Sequence, residues 1–125
     1  MKRNWDMIRD ILTRLEEYNN DQGCLNLANF PEDRHIEVSY NMELLLEASL
    51  VKGEMLEEFG SDPEDFFVTR LTWQGHEFLD AIRNDTIWQK TKKSFLNKGV
   101  SMTFDLVKSV AVDFASAFLK TTISS

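Results

Sequence analysis

RLTWQGHEFLDAIRNDTIWQKTK, residues 70–92, is the most strongly patterned run in this chain of 125 residues. Leu71, Phe78, Leu79, Ile82, Ile87 and Trp88 recur at helical spacing, so the run presents one broad apolar stripe with charges opposite it. Thr72 stands just ahead of the stripe, where its hydroxyl can cap the first turn. Phe66 to Thr72 is β-branched and aromatic, the composition of a strand that feeds directly into a capped helix. Asn84-Asp85 interrupts the run, and Thr86-x-x-Gln89 matches the reciprocal capping pattern of a new helix start. A break or kink near residue 85 is therefore expected, with one continuous helix as the alternative.

Upstream, Leu50–Leu56 and Phe66–Thr72 read as the two strands of a hairpin. The segment between them, EEFGSDPED at 57–65, is an acidic tip with no capacity to hold a phosphate. From Glu32 to Ala48 the residues Ile36, Tyr40, Leu44 and Leu45 mark a helix, with Glu43 and Glu47 spaced to face solvent. Leu25 and Leu27 alternate with polar neighbours across Cys24–Phe30, which suits a short strand closed by Pro31. Met1–Tyr18 carries Trp5, Ile8, Ile11, Leu12 and Leu15 on one helical face and is ended by the turn formers of residues 19–23. Downstream, Lys90, Lys92, Lys93 and Lys98 load the last turns of the organising helix with positive charge, as its dipole favours, and Lys98-Gly99 is the stop signal. Ser101 or Thr103 then caps a final helix to about Lys120, with residues 121–125 expected to fray.

This order predicts an α+β, winged-helix-like domain over 1–84, made of a helix, a short strand, a helix and a β-hairpin wing. A C-terminal helical extension, 85–125, packs on it to give one structural domain. Leu-Thr-x-x-Gly opening a helix straight after the hairpin is how winged-helix domains leave their wing. Too few residues separate the first strand from the wing for the usual two helices, so one of the two is expected to be vestigial or replaced by a turn. Leu45 and Leu79 are the expected core residues under the wing.

A chain of this size with 42% hydrophobic and 11% aromatic residues can bury one proper core and is too short for two. No apolar run approaches the roughly 20 residues that span a bilayer. The charged, amphipathic opening MKRNWDMIRD is unlike a secretory signal, and the single cysteine, Cys24, cannot form an internal disulfide. A cytoplasmic protein without membrane association is the expectation. The net charge of −7 is unevenly placed. Residues 19–69 hold twelve acidic side chains against two basic ones, whereas residues 70–125 hold eight basic against five acidic. Any nucleic-acid surface must therefore lie outside the middle of the chain.

Candidate chemistry is sparse. His35 and His76 have no His, Cys or carboxylate partner at a recognised metal-ligand spacing, and Cys24 has no neighbouring base in sequence. Gly-x-Ser-x-Gly is absent, and the five glycines never cluster into a phosphate cradle. The acidic 57–65 segment lacks the alternating ligands and closing Glu of a calcium loop. No enzyme, metal or cofactor is expected. A recognition helix at 32–48 would bring Glu32, Asp33, Glu37, Glu43 and Glu47 to a duplex against Arg34 alone, so repulsion is the default there. An alternative basic face draws on Arg3, Arg9, Arg14, Lys90 and Lys93, whose plainer reading is a solvated helix surface.

The last helix differs in kind, because its apolar residues circle most of its circumference. At about a hundred degrees per residue, Val107, Val110, Ala111, Phe114 and Phe118 share one side, and Phe104, Ala115 and Leu119 an adjoining one. The first side is expected to pack on the domain. The second, with small Ala111 and Ala115 allowing close approach, is expected to meet a homodimer partner or another protein. Phe104, Ala111, Ala115, Phe118 and Leu119 are the candidate interface.

The run RLTWQGHEFLDAIRNDTIWQK, the opening MKRNWDMIRDIL and the segment SYNMELLLEASLVKGE together resemble the family known as domain of unknown function 2513, across nearly the whole chain. Leu-Thr-Trp-x-Gly-His-x-Phe-Leu-Asp and Asp-x-Ile-Trp carry that resemblance. It implies a small bacterial protein of the kind often borne by phages and prophages, and no assigned activity. Ser49 stands where such sequences usually place Gly; Ser accepts a left-handed cap less readily, which puts the sharpness of that helix end in question. The functional expectation is a non-enzymatic protein-interaction module, with a DNA-binding transcriptional regulator as the alternative.

Overall fold

The computed structural model describes residues 1–18, 23–57 and 62–124. It is an α+β protein with five α-helices and a two-stranded antiparallel hairpin among those residues. The chain falls into two compact units, residues 1–76 and 77–125.

In the first unit, α1 (Trp5–Glu17) starts at Asn4, whose side chain accepts a hydrogen bond from the Met7 amide. Trp5, at the start of the expected stripe, is half-buried, whereas Ile8, Ile11, Leu12 and Leu15 are buried as their spacing predicts, together with Met7, which the expected stripe did not include. Each such side chain contributes about 2 kcal/mol of hydrophobic stabilisation. The turn expected at 19–23 lies, but for Gly23, outside the described residues. Helix α2 (His35–Glu47) buries Val38, Met42 and Leu45, and also a polar residue, Asn41. Burying an amide is tolerable only when its hydrogen bonds are met. Asn41 Oδ1 accepts from the Asn4 amide at 2.9 Å, and its Nδ2 donates to the Glu37 carbonyl at 2.9 Å. Asn4 in turn donates from Nδ2 to the Glu37 carboxylate at 3.1 Å, so the residue that caps α1 also pins α1 to α2.

Ser49 settles the question of the helix end. Its φ of 59° is left-handed, and the Leu50 amide donates back to the Leu45 carbonyl while the Ser49 amide donates to Leu46. Those paired bonds make a sharp stop of the Schellman kind without glycine. Strands β1 (Val51–Met55) and β2 (Phe66–Leu71) follow in antiparallel register, Val51 opposite Leu71, with a bulge between Lys52 and Gly53. Phe66, Val68 and Leu71 are buried. Thr72 caps α3 (Trp73–Ile82) as expected, accepting from the Gly75 amide at 3.0 Å while its hydroxyl donates to the Ser49 carbonyl.

Two readings are corrected here. The short strand expected over Cys24–Phe30 shrinks to one bridge, Leu25 with Val68, held by mutual amide–carbonyl bonds of 2.8 and 3.0 Å. After it, Asn26 and Asn29 cap each other across a 3-10 turn at Leu27–Asn29, which takes the chain out of the ladder. A second 3-10 turn, Glu32–Arg34, precedes α2, so the helix begins at His35 rather than Glu32. The two turns stand where a second full helix had no room.

Helix α3 ends in the second unit, where Phe78, Leu79 and Ile82 are fully buried. The break near residue 85 is real: α4 (Asp85–Lys98) starts afresh after α3 ends at Ile82. Its cap is Asn84, which accepts from the Ile87 amide at 3.0 Å, and not Thr86. Starting there puts Asp85 in the first turn, where the dipole favours a carboxylate. Gly99, at φ 65°, ends α4 as Lys98-Gly99 predicts. Of the two candidate caps for α5 (Phe104–Ser124), Thr103 is the one used, and the helix continues past the expected end at Lys120.

Candidate interaction surfaces

Helices α4 and α5 run antiparallel. Asn84, Thr86, Ile87 and Lys90 at the start of α4 face Phe114, Ala117, Phe118 and Thr121 near the end of α5 across a groove of about 400 Å³. At the other end Ser94, Phe95 and Lys98 border Leu106 and Val110. Trp88, Thr91 and Phe95 of α4 are buried, as are Val107 and Ala111 of α5. Of the side of α5 expected to pack inward, Val107 and Ala111 are therefore buried, Val110 and Phe114 are half-buried, and Phe118 is exposed.

The candidate interface residues separate. Ala111 is fully buried and has no surface to offer a second helix, so the expectation that Ala111 and Ala115 together admit one is corrected. Ala115 is half-buried. Phe104, placed by periodicity on the open side, is half-buried and stacks on Phe78 with ring centroids 4.7 Å apart. Phe118, placed on the packed side, is 63% exposed, and Leu119 is 58% exposed. Val112 and Leu106 on α5, and Leu96 and Val100 at the α4–α5 turn, are exposed as well.

The basic candidates divide between the units. Arg3 and Arg14 are exposed and Arg9 half-buried in the first; Lys90 and Lys93 are exposed in the second. Arg14 is already engaged, bonding Asp10 at 3.1 Å and resting its guanidinium 5.2 Å from the Phe30 ring. Arg3 lies 5.0 Å over Trp5. Where the recognition-helix reading would put cations, exposed Glu43 and Glu47 on α2 border a groove of about 580 Å³ beside β1, with Glu54 and Lys52 on the strand.

No group of three or more His, Cys, Asp or Glu side chains positioned to hold a metal occurs among the described residues. His35 Nε2 lies 2.9 Å from the Phe30 carbonyl and His76 Nδ1 3.7 Å from the Glu16 carboxylate. Cys24 is half-buried. No described helix is long and apolar enough to cross a membrane. Of the acidic tip, 58–61 lie outside the described residues, and its C-terminal end is tied into the fold. Asp65 Oδ1 accepts from the Leu27 and Phe66 amides, and the Glu64 carbonyl accepts from the Ser39 hydroxyl. An Asp just ahead of a strand, able to accept from nearby backbone amides, is a signal that the sequence does carry.

The family model described as "Hypothetical protein (DUF2513)" matches residues 2–101, and the chain belongs to that family. The chain is also similar to a protein of Haemophilus influenzae (strain ATCC 51907 / DSM 11121 / KW20 / Rd) described as "Uncharacterized protein". The two are 40% identical over 120 residues, which covers 95% of this chain and 99% of the relative. No solved structure matches the chain.

Proposed function

We propose that this protein is a non-enzymatic interaction module of winged-helix type that acts in the cytoplasm as a homodimer, in the prophage setting that the family resemblance implies. The winged-helix reading is supported by the order α1, the Leu25 bridge, α2, the β1–β2 hairpin and α3. The interaction reading is carried by one observation: Phe118 and Leu119 are adjacent, large, apolar and more than half exposed on α5. Soluble proteins seldom leave such a patch uncovered. A second copy is the occupant because α5 up to Thr121 carries two acidic and two basic residues, Asp105, Asp113, Lys108 and Lys120, and so does not repel itself.

Sedimentation at low micromolar concentration tests this. The expected result is a dimer that Leu119→Glu converts to a folded monomer with an unchanged circular dichroism spectrum, since the side chain adds little to the monomer's own core. A monomer whose mass is the same with and without Leu119→Glu overturns it. Phe104→Glu is a poor substitute, because it would also break the stack on Phe78.

The alternative, a DNA-binding regulator, meets Glu43, Glu47 and Glu54 where phosphates would have to sit. A mobility-shift assay at physiological salt is expected to give no sequence-selective duplex binding. Nanomolar, selective binding there would replace the interaction reading with the regulator.

A further inference from the structure

We infer that the groove between the end of α2 and strand β1 is a docking site for an extended, Arg- or Lys-bearing peptide segment of another protein, which pairs with the free edge of β1. This goes beyond the dimer reading and uses a different surface, so either can fail alone. The two-stranded sheet has the order β1–β2, and Leu25 bridges to β2, so the outer side of β1 has no strand neighbour among the described residues. An edge strand presents backbone donors and acceptors that an incoming extended chain can satisfy. Proteins usually blunt or cover such an edge, and here a groove of about 580 Å³ runs alongside it, walled by α2.

The lining sets the sign of the occupant. Glu43 and Glu47 from α2 and Glu54 from β1 are exposed acids, against Lys52 alone. A second copy of this protein, at net −7, is disfavoured in such a groove. A cationic strand is favoured by the same charge. Trp73 adds an independent observation. It is 79% exposed and follows directly on Thr72, which lines the groove. Tryptophan is the side chain most concentrated at binding hot spots, and its face is the best π partner for a guanidinium or ammonium.

The probe is a fluorescein-labelled peptide of about eight residues alternating Arg and Val, titrated with the full-length protein and read by fluorescence anisotropy. Micromolar binding that weakens as salt rises is expected. Glu47→Lys with Glu54→Lys should weaken it by at least about tenfold, and Trp73→Ala by a similar factor. Three controls can each overturn the proposal. The same peptide with Glu for Arg binding equally well would remove the charge argument. A backbone N-methylated version binding equally well would remove the strand pairing. Equal weakening by Glu32→Lys with Asp33→Lys, at exposed positions outside the lining, would mean that the protein's overall acidity attracts the peptide. Absence of any binding at about 100 μM overturns it outright. Circular dichroism of each variant shows whether its fold is intact, and Trp73→Ala, which lies on the surface, keeps the test open if the charge reversals disturb the fold.

Discussion

Replacing Gly75 with alanine is expected to destabilise the protein by about 3 kcal/mol or more, although the same change in an exposed helix normally stabilises by up to about 1 kcal/mol. Gly75 is the third residue of α3, and the chain passes over the Leu50 backbone at that point. A Cβ on Gly75 would lie 2.0 Å from the Leu50 carbonyl oxygen and 3.0 Å from its carbon. Neither side can yield easily. The Leu50 carbonyl accepts from the Thr72 amide at 3.0 Å, and the Thr72 hydroxyl ties Ser49 at 2.7 Å to the Gly75 amide at 3.0 Å. The close approach is thus built from the same residues that cap α3 and stop α2, and a methyl group would force them apart. Chemical denaturation at one fixed protein concentration measures the effect. An unchanged or raised unfolding free energy for Gly75→Ala would mean that α3 does not lie against Leu50. The glycine of Leu-Thr-Trp-Gln-Gly therefore has a physical role that its place in a motif does not convey: it is the gap through which α3 meets the end of α2.

Periodicity made the helices legible because it reports the angle at which a side chain leaves an axis. The stripe of α1 and the buried Phe78, Leu79 and Ile82 of α3 follow from it directly. Periodicity says nothing about where along the axis a neighbour stops. Phe118 shares its side of α5 with Val107 and Ala111, yet it is open because it lies beside the first turn of α4, where the packed part of the pair gives way to a groove. Phe104 shows the converse, for its aromatic partner Phe78 comes from a different helix and no spacing within α5 announces it. Ends were harder than middles. Asn84 and Thr86 both offer a cap, and the sequence alone does not choose between starts two residues apart. The lost strand at Cys24–Phe30 was legible in part, since Asn26-x-x-Asn29 is a reciprocal capping pair that competes with the alternation of Leu25 and Leu27. The surface was the least legible of all. The acids of the middle segment could be counted, but their division into bridging Asp65, groove-lining Glu47 and Glu54, and Glu37 bound to Asn4 depends on contacts that only the folded chain makes.

Two tryptophans separate what holds the fold from what is left for a partner. Trp88→Ala is expected to cost about 3 to 5 kcal/mol, because Trp88 has no exposed surface and its removal leaves a cavity that the surrounding side chains fill only in part. Its ring also carries the Lys92 ammonium at 5.5 Å, an interaction lost with it. Since α4 is one side of the helix pair that presents Phe118 and Leu119, the variant should also lose the dimer proposed above, if that dimer forms through α5. Trp73→Ala, by contrast, is expected to change stability by no more than about 0.5 kcal/mol, because a side chain that is 79% exposed contributes little to the core. Denaturant titration of both variants at one protein concentration, beside the unaltered chain, makes the comparison. A loss below about 1 kcal/mol for Trp88→Ala would mean that α4 is not seated through that ring. A loss above about 2 kcal/mol for Trp73→Ala would mean that the ring is covered by the chain itself. In that case Trp73 would be unavailable to an incoming peptide, and the groove beside β1 would have to bind through its acids and its strand edge alone.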